Sequence, residues 1–236
     1  MRTPSRIDQD VDHTVVDPGP AYVTLNGNPH FRAEVLLSSE LGYRQLIAHN
    51  FYLAVASYYN QYRDLESYGT ITPGIAQPPL PPIPEFNVGF VNGIEGHTLG
   101  VEILPDWQPT KWWDLKGSYS YIHLSLRDQP GITDMGTVLS DEGSTPNHGL
   151  EILSKINLPK RFQFDQVYRY ASALSYRNVR GYRTMDARLA WQSTFHLEFS
   201  AVGQNLFQPQ HVEFTGDPGP NVGVKRSVYG QITWKR

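Results

Sequence analysis

Phe195-His196-Leu197-Glu198-Phe199-Ser200-Ala201-Val202-Gly203-Gln204 alternates apolar and polar side chains almost without fault. Phe195, Leu197, Phe199 and Ala201 fall on one face, and His196, Glu198, Ser200 and Gln204 on the other. A period of two is the strand signature, because successive side chains leave a strand on opposite faces. Upstream, Met185, Ala187, Leu189 and Trp191 alternate with Thr184, Asp186, Arg188 and Gln192 in the same way. Only Gln192-Ser193-Thr194 lies between these runs, which predicts a tight antiparallel hairpin. The closing run, Val224 to Arg236, sets Val228, Ile232 and Trp234 against Ser227, Tyr229, Gln231 and Thr233. The last fifty-odd residues therefore predict an antiparallel sheet with one apolar and one strongly polar face.

The whole chain has 236 residues, no cysteine and a formal net charge of -3. Disulfides and cysteine-bearing zinc sites are excluded, and the charge favours neither nucleic acid nor an anionic membrane surface. No stretch reaches the roughly 18 apolar residues of a membrane helix. A mean hydropathy of -0.42 reads as soluble, yet a transmembrane barrel places its apolar residues at alternate positions and escapes that average. Met1-Arg2-Thr3-Pro4-Ser5-Arg6 leads into no apolar stretch and is not a signal peptide.

In chain order, residues 1 to about 30 are expected as a long loop, with Asp17-Pro18-Gly19-Pro20 as a turn cluster. Glu34 to Ile47 and Phe51 to Asp64 flank a turn at Ala48-His49-Asn50. Thr70 to Pro84 is rich in proline and glycine and is expected to be irregular. Phe86 to Leu104 is one long strand or, through Asn92-Gly93, a hairpin. Pro105-Asp106-Trp107-Gln108-Pro109 is expected to turn the chain. Trp113 to Tyr121 alternates again, 127–146 is a second long loop, and Gly149 to Leu158 with Arg161 to Tyr170 forms a hairpin around Pro159-Lys160. Residues 172–181 and 207–222 are further long connections, the latter holding a second turn cluster, Asp217-Pro218-Gly219-Pro220.

About nine strands result, with short and long connections in strict alternation. An outer-membrane barrel has that pattern, since its periplasmic turns are short and its extracellular loops long. Trp113 and Tyr121 share a face roughly 26 Å apart along the strand. At a tilt of about 45° that is roughly 19 Å of height, suited to two interfaces of an apolar band about 25 Å tall. The opposite face carries Asp114, Lys116, Asp165, Arg169, Asp186, Arg188 and Glu198. A dry core does not hold unpaired charges, whereas a wet lumen does.

With the strands placed, the motifs in their order resemble those of the TonB-dependent outer-membrane receptors. Arg2-Thr3-Pro4-Ser5 looks like a strand-ending motif of that family, and Asn28-Pro29-His30-Phe31 through Glu34 and Glu40-Leu41-Gly42-Tyr43-Arg44 like the start of the next strand. Tyr58-Tyr59-Asn60 with Tyr62 is similar to the strand after that. Asn92, Gly100-Val101-Glu102 and Gly117-Ser118-Tyr119-Ser120-Tyr121 are similar to the succeeding pair of strands. Val202-Gly203-Gln204-Asn205-Leu206 and Tyr229-Gly230-Gln231-Ile232-Thr233-Trp234 complete the set. Family members usually end on an aromatic residue, whereas this chain ends Trp234-Lys235-Arg236.

The resemblance implies an all-β fold: an antiparallel up-and-down transmembrane β-barrel, here a partial barrel of about nine strands forming an open curved sheet. Such barrels have 22 strands around a plug. Dividing 236 residues among 22 strands leaves about 11 each, barely a membrane strand. The expectation is a C-terminal piece or truncated reading frame, with residues 1-32 as extracellular loop and 33-236 as barrel wall. Its two edges, near Glu34–Ile47 and Val224–Trp234, are expected to stay unpaired.

The implied function is the barrel part of a receptor for active uptake of a ligand such as a ferric siderophore, inactive alone, in a Gram-negative outer membrane. Outer-membrane lipid, the plug, the remaining strands and, through the plug, the TonB system are the expected partners, with no nucleic acid and no cofactor. Arg127, Arg177, Arg180 and Arg183 near the outer rim are the candidates for an anionic ferric chelate. The eight histidines lack ligand-like spacing, so no metal site is expected. Asp165, Asp186 and Glu198 are read as wetted lumen groups, not catalytic carboxylates. The alternative is a small self-contained outer-membrane barrel, an enzyme of lipase or protease type or a porin, but no Ser/His or paired-carboxylate site stands out. A soluble sugar-binding β protein would need the dry core that the polar faces deny.

Overall fold

The structure, a computed structural model, describes residues 2–17, 19, 21–216 and 223–234. Pro18 and Pro20 of the first turn cluster, all of Asp217–Pro220 and the terminal Lys235–Arg236 lie outside the described residues. In chain order the elements are helix α1 (Arg6–Asp10), β1 (Asp12–Asp17), β2 (Ala21–Asn26), β3 (Val35–Ala48), β4 (Phe51–Tyr68), β5 (Thr72–Ile75), β6 (Pro84–Thr110) and β7 (Trp113–Asp128). Helix α2 (Thr137–Gly143) precedes β8 (His148–Leu158), and one 3-10 turn at Pro159–Arg161 leads into β9 (Phe162–Ala171). Then come β10 (Tyr182–Gln192), β11 (Leu197–Gln204), β12 (Gln210–His211), β13 (Val224–Lys225) and β14 (Ser227–Trp234).

One sheet holds twelve of the described strands in the order β1-β2-β6-β7-β8-β9-β10-β11-β14, with β4 also on β6, β3 on β4 and β5 on β6. Its long members, β3, β4, β6 to β11 and β14, follow one another up and down and are the nine expected strands. Among the described residues β3 pairs with β4 alone and β14 with β11 alone, so the sheet stays open. The chain divides into two compact units, Met1–Ser39 with Tyr59–Thr98 and Leu124–Glu142, and Glu40–Tyr58 with Leu99–His123 and Gly143–Arg236.

In the first unit, the segment expected as a loop folds. Ser5 caps α1 by a capping box with Asp8. β1 and β2 form an antiparallel hairpin, Thr14 and Thr24 hydroxyls meet at 2.8 Å, and β2 runs parallel to β6 from Tyr22 against Glu85 to Asn26 against Gly89. Gly19 is a turn residue between the two strands, its carbonyl accepting the Ala21 N–H at 2.8 Å, and the β-branched residues on each side (Val15, Val16, Val23) supply the strand propensity. Tyr22, Phe31, Ala76, Phe90 and Ile94 are the buried apolar residues of this unit among the described residues.

Asn92-Gly93 makes no hairpin, and β6 is one strand. The Asn92 side chain accepts the Arg32 N–H at 2.7 Å and donates to the carbonyls of Arg32 and Asp64 at 3.0 and 2.7 Å. It thereby stitches neighbouring backbone where a turn would have used it. A Cβ on Gly93 would stand only 2.2 Å from Ser67 Oγ, so the glycine serves close approach.

In the second unit, the turn expected over Pro105–Pro109 is absent, because β6 runs on to Thr110. Gln108, between the two prolines, donates its N–H to the Asn50 carbonyl at 2.8 Å, and Asn50 Nδ2 returns to the Gln108 carbonyl at 3.0 Å. Neither proline has to supply those bonds, and the chain reverses at Lys111-Trp112 instead. The β10–β11 turn is longer than expected: β11 begins at Leu197, and Phe195 lies in the turn, 78 % exposed, with the Arg161 guanidinium 4.9 Å above its ring. The final run is split as well, β13 pairing with β12 before β14 joins β11.

Register fixes the faces of this unit, because cross-strand partners share a face. Leu115 stands opposite Ser154, Gln166 opposite Ala187, Leu189 opposite Ala201, and Phe199 opposite Ile232. Leu115, Leu189, Leu197 and Ile232 therefore share one face, and Lys116, Arg188 and Glu198 share the other. Phe162, Trp191 and Phe199 stack in a row with centroids 6.1 Å apart, and Trp107 lies 6.3 Å from Trp113. Eight residues up the strand from Phe162 stands Tyr170, on the same face as Tyr168, Tyr119 and Tyr121. Two aromatic rows thus border an apolar middle.

Candidate functional site

The polar face is built from strand alternation, and its charges are paired. Arg169 of β9 donates to Glu151 of β8 at 2.9 Å and to Asp186 of β10 at 2.7 Å. Arg188 of β10 donates to Asp165 of β9 at 3.0 Å and to Glu198 of β11. Each guanidinium thus ties three strands, as its planar fork allows. These four carboxylates are all engaged by arginine. This face suits a hydrated lumen.

The long connections of the second unit carry the candidate ligand groups. An isolated bridge between Leu174 and Val179 closes the loop after β9 and presents Tyr176, Arg177 and Asn178. The Tyr176 N–H donates to the Gly143 carbonyl at the end of α2. Arg177 lies 4.8 Å over the Phe214 ring and 5.6 Å over Tyr176, and its Nε donates to Ser144 Oγ at 2.9 Å. Such stacking, with the Ser144 bond, holds the guanidinium in place.

Arg180 is exposed and helps to line a cavity of about 510 Å³ with Asn178, Tyr182, Gln210, His211 and Thr215. His211 is buried, its Nε2 lies 2.9 Å from Glu213, and its ring stacks on Tyr182 at 4.5 Å. Arg183 is exposed, and its register opposite Tyr170 turns it to the apolar face. Arg177 and Arg180 thus lie in one loop, while Arg183 stands on β10 and faces the apolar side.

Arg127 belongs to the first unit. It pairs with Glu95 at 2.7 Å beside a cavity of about 320 Å³ that Tyr59, Arg63 and His97 also line. In the same unit Arg2 reaches Asp8, Glu34 and Glu66 at 3.4, 2.9 and 3.0 Å. Burial pushes the Asp8 carboxyl up, but two hydrogen bonds from Ser5 and the Arg2 charge outweigh it and hold Asp8 below its ordinary value. Among the described residues, no cluster of three His, Asp or Glu side chains has a metal-binding arrangement. Tyr176, Phe214, His211 and Glu213 went unseen in the sequence, since loop residues carry no periodicity. Aromatic residues inside polar loops were the available signal.

A family model described as TonB dependent receptor-like, beta-barrel, matches residues 2–206. No curated protein is matched by the sequence. Among solved structures, the chain is similar to the ferric-catecholate import receptor Fiu of Escherichia coli K12. Identity is 18 % and the TM-score 0.60, over 87 % of this chain and 28 % of that one. It is similar to the siderophore receptor PirA of Acinetobacter baumannii at 12 % identity and a TM-score of 0.64, over 90 % and 33 %. The FrpB iron transporter of Neisseria meningitidis gives 13 % and 0.62, over 91 % and 33 %. At such identities the likeness is one of fold, and the chain spans about a third of each of these receptors.

Proposed function

The chain belongs to the TonB-dependent receptor β-barrel family, whose members are outer-membrane receptors and transporters and not enzymes, and on that premise we propose that it forms part of the wall of a receptor taking up an anionic ferric chelate. Its place is the Gram-negative outer membrane. The observation that carries the ligand class is the loop tip where Arg177, held between Tyr176 and Phe214, stands in the same loop as Arg180 and its cavity. Ferric siderophore complexes with catecholate or carboxylate oxygens are anionic, flat in part and rich in acceptors, which suits stacked guanidinium and phenol groups.

In this reading the loops of 129–147, 172–181 and 205–226 face outward from the cell, and the turns at Lys111, Pro159 and Ser193 face the periplasm. Residues 1–32 belong with the outward loops, and 33–236 with the wall. Transport requires more than this chain. β3 and β14 each leave one edge unpaired among the described residues, and an unpaired backbone group in hydrocarbon costs several kcal/mol. The remaining strands, a plug and the TonB system that pulls on it would supply the closure and the energy. The test is uptake of radiolabelled ferric chelates by the receptor in its host, with and without an energised inner membrane. Arg177→Ala combined with Arg180→Ala should cut uptake about tenfold, as loss of one or two charge-assisted contacts would. Unchanged uptake of every chelate tried would refute this ligand site.

A further inference from the structure

Arg183 is an arginine on the wrong face for a ligand that travels through the lumen. Its cross-strand partner is Tyr170, while the next pair, Thr184 with Arg169, turns to the polar face where Arg169 joins the ion-pair ladder. Arg183 therefore shares the face of Met185, Leu189 and Trp191, which in an outer-membrane barrel meets lipid. It is exposed and has no acidic partner among the described residues.

Its depth is set by the same strand. Trp191, in the lower aromatic row, is eight residues away, which is roughly 26 Å of strand and about 19 Å of height at the usual tilt. That places the guanidinium at the far border of the apolar band, where lipid headgroups begin. Around it the chain after β11 folds back over the strand. The Leu206 N–H donates to the Met185 carbonyl at 2.8 Å, and Gln208 Nε2 to the Arg183 carbonyl at 2.8 Å. This sets Phe207, 53 % exposed, beside Tyr168 with centroids 6.1 Å apart. Tyr168, Arg183, Phe207 and Pro209 then line a recess of about 530 Å³.

We propose that this recess seats the phosphorylated headgroup of an outer-leaflet lipid, with Arg183 pairing to the phosphate and Tyr168 and Phe207 packing against the sugar or glycerol above the acyl chains. A guanidinium binds phosphate through two parallel N–H groups, and aromatic rings favour this boundary because one side of it is apolar and the other wet. A soluble chelate would gain nothing from a cation that looks into the bilayer. The assignment to the outer leaflet rests on the loop orientation proposed above, while the binding itself does not rest on transport.

The test uses the receptor as its host makes it, extracted in mild detergent and followed by native mass spectrometry. The probe is diphosphorylated lipid A, compared with the same lipid stripped of its phosphates. The wild type should retain the phosphorylated probe, and Arg183→Ala should weaken retention about tenfold, the loss of one charge-assisted pair. Phe207→Ala should weaken it less, and dephosphorylating the probe should reduce the wild type to the Arg183→Ala level. Inorganic phosphate at the same concentration should not compete. Heat-modifiable migration on a gel reports that each variant is folded. Equal retention by folded wild type and Arg183→Ala would overturn the proposal, as would displacement of the lipid by inorganic phosphate alone.

Discussion

Arg169 and Asp186 meet at 2.7 Å across β9 and β10, and the second oxygen of the same carboxylate accepts the Asn205 N–H at 2.9 Å. One side chain therefore joins the ion-pair ladder of the polar face to the point where β11 ends. Asn205 sits there with a positive φ of 51°, and its side chain donates to the Val224 carbonyl at 2.9 Å. Asp186→Ala should leave Arg169 with Glu151 alone and the Asn205 N–H without its acceptor. The expected loss is about 1–3 kcal/mol, seen as a lower temperature for loss of heat-modifiable migration. Glu198→Ala removes only an end of the ladder and should cost less. The reverse ranking would contradict the role given to Asp186.

The two faces differ in what they tolerate. Ala187 lies four residues from both Arg183 and Trp191, at the middle of the apolar face, while Ser120 lies on the polar face opposite Gly149. An arginine on a lipid-facing midplane position costs roughly 2–4 kcal/mol. Ala187→Arg should therefore reduce the folded receptor in outer-membrane fractions severely, and Ser120→Arg should leave it near the wild-type amount. Equal levels would contradict the division into a lipid face and a lumen face, and the reverse ranking would mean that the faces are assigned the wrong way round.

The faces and the strand count were legible in the sequence because alternation is a property of neighbouring residues. Leu189 and Arg188, or Leu197 and Glu198, declare opposite faces wherever the strand goes. What alternation does not report is where a strand stops. Pro105 and Pro109 looked like a turn because proline lacks a donor, and only the Asn50–Gln108 pair shows that no donor was needed there. The sequence Asn92-Gly93 has the composition of a hairpin turn, and its side-chain bonds to Arg32 and Asp64, residues far away in the chain, decide otherwise. The candidate site was legible only as a set of rim arginines. That Arg177 is stacked and Arg180 opens on a cavity depends on loop paths that carry no period, whereas the face of Arg183 follows from its place two residues before Met185 in β10.

Gly27 marks the close approach of the hairpin to α1. A Cβ there would stand 2.5 Å from the backbone of Gln9 and 2.6 Å from Asp10 N, and the Gly27 N–H already donates to the Val11 carbonyl at 2.6 Å. Backbone cannot swing aside as a side-chain end can, so Gly27→Ala should push α1 off the hairpin. Proteolysis within residues 2–26 should become several-fold faster, while strands β8 to β11 stay protected. Protection equal to the wild type would show that this contact is looser than its geometry.

Asp8 gives the same region a pH dependence. Its folded value lies below the ordinary 3.8, so ionised Asp8 contributes stability that is fully present above that ordinary value. The contribution is lost as pH falls through the folded value. Proteolysis of the α1 segment should therefore be slow from neutral pH down to about pH 4 and rise below it. Asp8→Asn should be fast already at neutral pH and show a flatter profile. A variant with the wild-type profile would remove Asp8 as the cause.

That this chain is outer-membrane barrel wall with its long connections outside is checked most simply by cysteine labelling of intact cells that make the receptor. The sequence has no native cysteine, so each introduced thiol in this chain reports alone. Leu139 and Phe195 are 67 % and 78 % exposed, on α2 and in the β10–β11 turn, and Arg180 is exposed at the loop tip. An impermeant maleimide should label Leu139→Cys and Arg180→Cys on intact cells, and Phe195→Cys only after the outer membrane is opened. Labelling of Phe195→Cys in intact cells with the other two protected, or equal labelling of all three, would contradict this topology.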